Sequence, residues 1–103
     1  MWAQLITARL KPGRESDLAE LVEALQASEQ PGSGLVRSTM MRDENDASRL
    51  HVLVVFETQE KARARENDER RKEPLGKVRT LMGEIFDGPP EFADLAVVEE
   101  WTP

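Results

Sequence analysis

The single histidine of the chain, His51, is the side chain best suited to acid–base chemistry near neutral pH. A catalytic histidine needs a carboxylate within hydrogen-bonding distance to orient its ring. Glu57 falls on the same face of the predicted strand, but it lies too far along that strand to make the contact. We therefore interpret His51 as a strand residue near a dimer interface or a sheet edge, and we keep it as a catalytic candidate.

A dense run of charges occupies residues 60–73, which hold six basic and five acidic side chains. Five of the basic side chains suggest an anion site: Arg63, Arg65, Arg70, Arg71 and Lys72. Acidic side chains are interleaved with them, and a spacing such as that from Glu66 to Arg70 allows ion pairs between successive turns of a helix. The pattern favours a solvated helix that pairs its own charges over an anion site or a nucleic-acid surface.

No spacing in the chain predicts a metal site or a nucleophilic triad. The absence of cysteine excludes disulfides, thiolate metal sites and cysteine nucleophiles. Residues 43–46 begin like a calcium loop, but the oxygen ligand, the glycine and the glutamate required at the fifth, sixth and twelfth places are missing. We interpret this segment as a hairpin turn, and we expect neither a metal nor a cofactor.

The overall composition describes one acidic domain spanning residues 1–103. Fourteen basic and twenty acidic residues give a net charge of −6, which argues against nucleic acid or an anionic membrane as a partner. No apolar stretch approaches the roughly 20 residues of a membrane span. The N-terminal residues also lack the pattern of a secretory signal, so we expect a cytoplasmic protein.

The first half of the chain predicts a strand, a helix and two further strands. A strand over 2–11 ends at a Pro-Gly pair. The helix over 14–29 has one apolar stripe, formed by Leu18, Leu21, Val22 and Leu25. Strands over 35–42 and 49–57 flank a polar turn. In the second of these strands one row of alternate residues is entirely apolar and the other is mixed, so we expect the apolar row to pack under helices.

The second half of the chain predicts one helical region and a final strand. Thr58 is suited to cap a helix whose first part, residues 60–73, has no hydrophobic face. We expect Pro74 to break or kink this helix, because proline lacks an amide hydrogen. An apolar stripe follows, formed by Leu75, Val78, Leu81, Met82, Ile85 and Phe86. A Gly-Pro-Pro sequence then stops the helix, and a last strand is predicted over 93–101.

This order of elements is that of a ferredoxin-like α+β fold, βαββαβ. Such a chain forms a four-stranded antiparallel sheet with the helices on one face, which leaves the other face without cover. The mixed row of strand three still holds Leu53 and Val55, and strands one and four carry apolar residues on both faces. We therefore predict a homodimer, a dimeric α/β barrel in which sheet packs against sheet.

Large apolar side chains are candidates either for the core or for a ligand pocket. Aromatic rings dominate burial energetics and methionine fills irregular gaps, so core packing is the simpler role. Phe56 ends the apolar row of strand three and Phe86 ends the apolar stripe of the last helix, which places both near the space between sheet and helices. The residues selected as substrate-pocket candidates are Trp2, Ile6, Phe56, Met82 and Phe86.

Several short segments, in their order and spacing, carry a family resemblance. They are Arg-Leu-Lys-Pro-Gly at 9–13, Pro-Gly at 31–32, Arg-Asp-Glu-Asn-Asp at 42–46, Val-Val-Phe-Glu-Thr-Gln-Glu at 54–60 and Glu-Glu-Trp at 99–101. With them the chain resembles the antibiotic biosynthesis monooxygenase family of dimeric α/β barrels. The resemblance implies a homodimer with a pocket in each subunit, between the sheet and the helices.

The chemistry that the resemblance implies varies among members of the family. Some oxidise polyketide-type phenols with O₂ and without metal or flavin, and others degrade haem. Members often carry an aromatic residue and then a histidine in helix two. Those places fall near Ala62 and Arg65 in this chain, and we keep Arg65 as a catalytic candidate. Haem degradation is disfavoured, because strand one lacks the asparagine and the second helical region lacks the histidine that those members use.

Three functions remain open on the sequence. The first is a cofactor-independent monooxygenase that acts on a small aromatic or polyketide-like substrate. The second is a non-catalytic small-molecule-binding or stress-related dimer that uses the same pocket. The third is a protein-interaction module in which the charged helix over 60–73 docks a partner. Fold carries little information about chemistry in such barrels, so the site must decide among them.

Overall fold

The computed structural model describes all residues from Met1 to Pro103. The chain forms one four-stranded sheet with three α-helices. The strands are β1 (Trp2–Arg9), β2 (Leu35–Arg42), β3 (Arg49–Phe56) and β4 (Glu91–Ala96), and the helices are α1 (Leu18–Ser28), α2 (Gln59–Glu66) and α3 (Lys72–Ile85). The strand order is β2-β3-β1-β4 and every pair is antiparallel. The predicted ferredoxin-like fold class is confirmed. No helix has both the length and the apolar character that a membrane span requires.

The main core lies between the sheet and the helix pair α1 and α3. The β3 residues Leu50, Val54 and Phe56 are buried on the helix-covered face, as the alternation of that strand predicts. The main core cluster consists of Ala8, Leu10, Leu21, Ala24, Leu50, Val78, Leu81, Ile85 and Phe86. Full burial of a leucine or isoleucine side chain contributes about 1.5–3 kcal/mol, so these few contacts hold the layers together.

The second helical region differs from the prediction at Pro74. The chain forms two helices here, and the break between them lies at Asn67 and Asp68, before the proline. The Asp68 carboxylate accepts a hydrogen bond from the Arg70 backbone N–H at 3.0 Å and so starts a new turn. Pro74 is the third residue of α3, where an amide hydrogen has no helical partner, so it neither breaks nor kinks the helix.

The break also changes the charge pairing that the sequence predicts. Glu66 and Arg70 lie in different helical segments, so their spacing does not bring them onto one helix face. Glu66 pairs instead with Arg63 at 3.2 Å, and Arg70 pairs with Asp68 at 2.8 Å. The first pair is exposed on both sides and the second on its arginine side, and surface pairs of this kind contribute little to stability.

The last strand is earlier and shorter than the predicted 93–101. β4 pairs only with β1, and the pairing stops where β1 begins, with Trp2 opposite Ala96. After one further hydrogen bond, from Val97 N–H to the Met1 carbonyl at 3.3 Å, no strand remains for the chain to pair with. Residues 97–103 therefore form a tail without regular structure.

The C-terminal tail crosses the sheet on the face that has no helices. Glu100 forms an ion pair with Arg37 at 3.4 Å, and Arg37 lies on β2, the edge strand opposite β4. In the strand register Arg37 of β2 lies opposite Val55 of β3, so both side chains are on the helix-free face. Val55 and Ala3 are only 3% and 5% exposed, although no helix covers them. The tail thus supplies cover to one end of this face.

The first prediction concerns Thr58, whose hydroxyl accepts a hydrogen bond from Lys61 N–H at 3.1 Å and caps α2. We expect Thr58→Ala to lower the free energy of unfolding by about 1 kcal/mol. This corresponds to a fall of about 4–8 °C in Tm by calorimetry. Thr80→Ala is the matched control, because that exposed hydroxyl bonds only the Gly76 carbonyl within α3. An equal loss in both variants would contradict a capping role.

Candidate functional site

A cavity of about 440 Å³ lies between the helix-covered face of the sheet and the helices. This volume is within the range of small-molecule sites. Strands β1, β2 and β3 form its floor, and α1 and α3 form its roof. Its apolar wall consists of Ile6, Ala8, Leu21, Val22, Leu25, Leu35, Met40, Leu50, Val52, Val54, Phe56, Met82 and Phe86. The cavity is therefore suited to a mainly apolar ligand.

The polar lining includes an ion pair between the end of α1 and the end of α2. Arg65 Nε donates to both carboxylate oxygens of Glu29, at 2.8 and 3.0 Å. The Arg65 guanidinium also lies over the Phe56 ring, 5.3 Å from its centroid. Both side chains of the pair are largely buried, with 18% and 25% of their surface exposed. A cation held between a carboxylate and an aromatic face has a well-defined position.

Arg71 lines the same cavity but has no acidic partner. The residue is 5% exposed, its Nη1 donates to the Arg65 carbonyl at 3.2 Å, and its Nε is buried without a hydrogen bond. Burial lowers the pKa of the Arg71 guanidinium, and the neighbouring charge of Arg65 acts in the same direction. An arginine so placed still keeps its charge at neutral pH. The structure thus holds a buried cation that nothing in the chain neutralises by contact.

The short link between α2 and α3 brings both arginines to the cavity. Ala62 of α2 is 2% exposed and packs in a small cluster with Trp2, Val54 and Phe56, which fixes α2 against the end of β3. Arg65 is one helical turn beyond Ala62 and so points the same way. The break that follows then returns the chain toward the cavity at Arg71.

The far end of the cavity is closed by the connection after α3. Phe86 follows the last residue of that helix and bridges to Leu10 just beyond β1. Two backbone hydrogen bonds hold this contact, from Lys11 N–H to the Ile85 carbonyl at 2.8 Å and from Asp87 N–H to the Arg9 carbonyl at 2.7 Å. Phe86 is therefore a rigid part of the cavity wall.

Comparison with known proteins identifies the architecture. No protein-family model matches the chain, and no curated protein matches it either. A solved "putative antibiotic biosynthesis monooxygenase" from Nitrosomonas europaea matches with a TM-score of 0.73 and 14% identity, over 96% of this chain and 100% of that chain. A protein of the same description from Bordetella bronchiseptica matches with a TM-score of 0.74 and 21% identity, over 95% and 97%.

The chain has the fold of the antibiotic biosynthesis monooxygenases. The predicted resemblance is thereby confirmed at the level of the fold. A protein of unknown function from Nitrosomonas europaea shares the fold as well, with a TM-score of 0.70 and 18% identity, over 99% of this chain and 93% of that chain. The monooxygenase fold therefore does not by itself assign an activity, and the side chains of the cavity must supply the argument.

Four of the five residues predicted to line a pocket in this monooxygenase fold lie in the cavity wall: Ile6, Phe56, Met82 and Phe86. Trp2 does not. Its ring packs against Phe56, with centroids 6.0 Å apart, and the Arg63 guanidinium covers it at 5.3 Å. Trp2 is 8% exposed and belongs to the cluster beneath α2, so its role in the structure is packing.

The two catalytic candidates, His51 and Arg65, lie on opposite faces of the sheet. His51 shares the helix-free face with Thr7, and the Thr7 hydroxyl lies 3.2 Å from His51 Nδ1. No carboxylate pairs with His51, and it does not line the cavity. His51 therefore has no access to a ligand in the cavity, whereas Arg65 has.

Sequence reasoning missed Glu29, and it set Arg71 aside by interpreting the charged segment as solvated throughout. That interpretation is wrong for Arg65 and Arg71, which turn inward. The sequence signal for the burial of Arg71 is the apolar stripe of α3, which extends backward from Val78 and Leu75 by one more turn to Arg71. In the same way, Glu29 is four residues beyond Leu25 on the stripe of α1. Extending each stripe by one turn identifies both residues.

The second prediction tests the two arginines by their effect on stability. We expect Arg71→Met to raise the free energy of unfolding by about 1–2 kcal/mol, because methionine fills the space without a desolvated charge. We expect Arg65→Met to lower it by about 1–2 kcal/mol, because Glu29 then loses its partner. Urea denaturation of the two variants measures both effects. A destabilised Arg71→Met would mean that the guanidinium is neutralised in the protein.

Proposed function

We propose that the chain is a cofactor-independent monooxygenase that oxidises a small aromatic or polyketide-like compound with O₂ in this cavity. The observation that carries the proposal is the composition of the cavity: an apolar wall with two arginines and one carboxylate at one end. Such a site binds a flat apolar ring and favours the anionic form of a substrate. An electron-rich phenol or anthrone is most reactive toward O₂ as its anion.

The proposed reaction balances without a metal or a flavin. An anthrone-type CH₂ group first loses a proton, and the resulting anion gives its electrons to O₂. In the net reaction the CH₂ carbon becomes a carbonyl, one oxygen atom enters the product and the other leaves as water with the two hydrogens of the CH₂ group. The substrate thus supplies all four electrons that O₂ accepts.

Each part of the cavity lining has one role in this proposed reaction. The guanidinium groups of Arg65 and Arg71 give the polar end a positive potential, which stabilises the substrate anion. The released proton passes to water at the polar end, because Glu29, the one carboxylate that lines the cavity, is held by Arg65. The apolar wall, Phe56 and Phe86 included, orients the ring and excludes water from the reacting carbon.

The third prediction is that the protein accelerates O₂ uptake by 1,8-dihydroxyanthrone. An oxygen electrode should record one O₂ consumed per carbonyl formed, and a chelator such as EDTA should leave the rate unchanged. Val52→Phe, which fills the cavity, should lower the rate by at least about tenfold, because the substrate no longer fits. Arg79→Gln is the control, since Arg79 is exposed on α3 and does not line the cavity. Uptake that is equal with and without protein would count against an oxygenase of this type.

A second candidate function is ligand binding without catalysis. The specific observation is that no free base faces the cavity: Glu29 is held by Arg65 at 2.8 Å, and His51 lies on the other face of the sheet. A ligand that binds only the folded state raises Tm. A rise in Tm with 1,8-dihydroxyanthrone but no added O₂ uptake would select this function over the first.

We also propose that the protein is a homodimer with the helix-free face of the sheet at the interface. The tail covers only one end of this face. The face still presents Met41 and Leu95, with 43% and 41% of their surface exposed, and the half-buried Leu53. Every residue of the edge strand β4 is exposed, and Val98 and Trp101 of the tail add further apolar surface. Apolar patches of this kind mark association sites.

The fourth prediction tests this interface. Native mass spectrometry should show a dimer for the unmodified protein. Leu95→Asp should shift it toward the monomer, because each copy would bury an unpaired carboxylate. Arg79→Glu, on the exposed side of α3, is the control and should remain dimeric. A monomer in the unmodified protein at micromolar concentration would remove the interface and the barrel with it.

A further inference from the structure

The polar end of the cavity carries one more positive charge than the chain neutralises there. Arg65 is paired with Glu29, whereas Arg71 has no carboxylate in contact. The two other acidic side chains near Arg71 are Asp68 and Glu66, and each already has an arginine partner outside the cavity. The cavity therefore combines an apolar wall with a net charge of +1 at one end.

A buried cation without a partner is costly, and natural proteins rarely keep one without use. The low-dielectric surroundings that make Arg71 costly also strengthen its attraction for an anion. A planar guanidinium matches a carboxylate geometrically, because two of its N–H groups can donate in parallel to the two oxygens. The orphaned Nε marks where this donor capacity is unused.

We infer that the cavity takes an aromatic monocarboxylate, whose carboxylate binds at Arg71 while its ring lies along the apolar wall. This inference rests on the proposed function in one respect, namely that the cavity holds the ligand. One negative charge balances the uncompensated guanidinium, whereas a dianion such as a phosphate ester would leave an excess charge against the apolar wall. Arg65 remains paired with Glu29, so Arg71 is the residue that selects the charged group.

The test compares two compounds of the same shape, 2-naphthoate and 2-naphthamide, by isothermal titration calorimetry. The unmodified protein should bind the carboxylate at least about tenfold more tightly than the amide, since charge-assisted hydrogen bonds in a buried site are strong. Arg71→Met should abolish the preference, because the loss of the guanidinium weakens binding of the carboxylate far more than binding of the neutral amide. Arg71→Lys should restore part of it, because lysine keeps the charge but not the planar pair of donors.

Arg79→Gln is the control and should keep the full preference, because Arg79 is exposed on α3 and does not line the cavity. Equal affinity of the unmodified protein for the two compounds would overturn the carboxylate site and leave the cavity as a ligand site. Binding of neither compound would overturn the inference together with the proposed function. The comparison in the unmodified protein is decisive even if a variant fails to fold.

Discussion

The burial of Arg71 at the junction between α2 and α3 is the constraint on which the character of the cavity depends. If α2 continued through Asp68, this guanidinium would not reach the space between the layers. The Asp68 carboxylate instead caps a new turn, and the chain re-enters at Arg71. Within α2, Arg65 follows Ala62 by one turn, so that it lies over Phe56 and beside Glu29. The cap at Asp68 thus helps to turn Arg71 inward, whereas the packing of Ala62 against the end of β3 sets where Arg65 faces.

The buried charge of Arg71 has opposite effects on the stability of the empty protein and on its attraction for an anion. The hydrophobic core is small, with fifteen buried apolar residues, and an uncompensated cation within it lowers the stability of the empty protein. Strain or unpaired charge that persists in a small domain is typical of functional sites. An anionic ligand that bound at Arg71 would relieve the same cost and would raise folding stability.

The helix-free face of the sheet has a different residue pattern from the helix-covered face. Its strands alternate between apolar and polar residues less cleanly than the helix-covered rows do, and the tail covers only the row around Ala3 and Val55. His51 and Thr7 form a polar pair within this otherwise mixed surface. Such a face suits contact with a second sheet, since an interface tolerates satisfied polar pairs among apolar side chains.

The sequence by itself determined the order of the strands and helical regions, the bounds of β2, the hairpin at 43–48 and the row of β3 that packs under helices. These features follow from alternation, helical periodicity and turn residues, which act over a few neighbouring positions. Four of the five proposed pocket residues lie in the cavity wall for the same reason. Only the tertiary structure decided the rest. The end of β4 depends on where β1 begins, and the inward turn of Arg71 depends on how α2 packs against β3. Both depend on contacts between segments distant in the chain, and the stripe of α3 points to Arg71 without distinguishing a buried guanidinium from a solvated one.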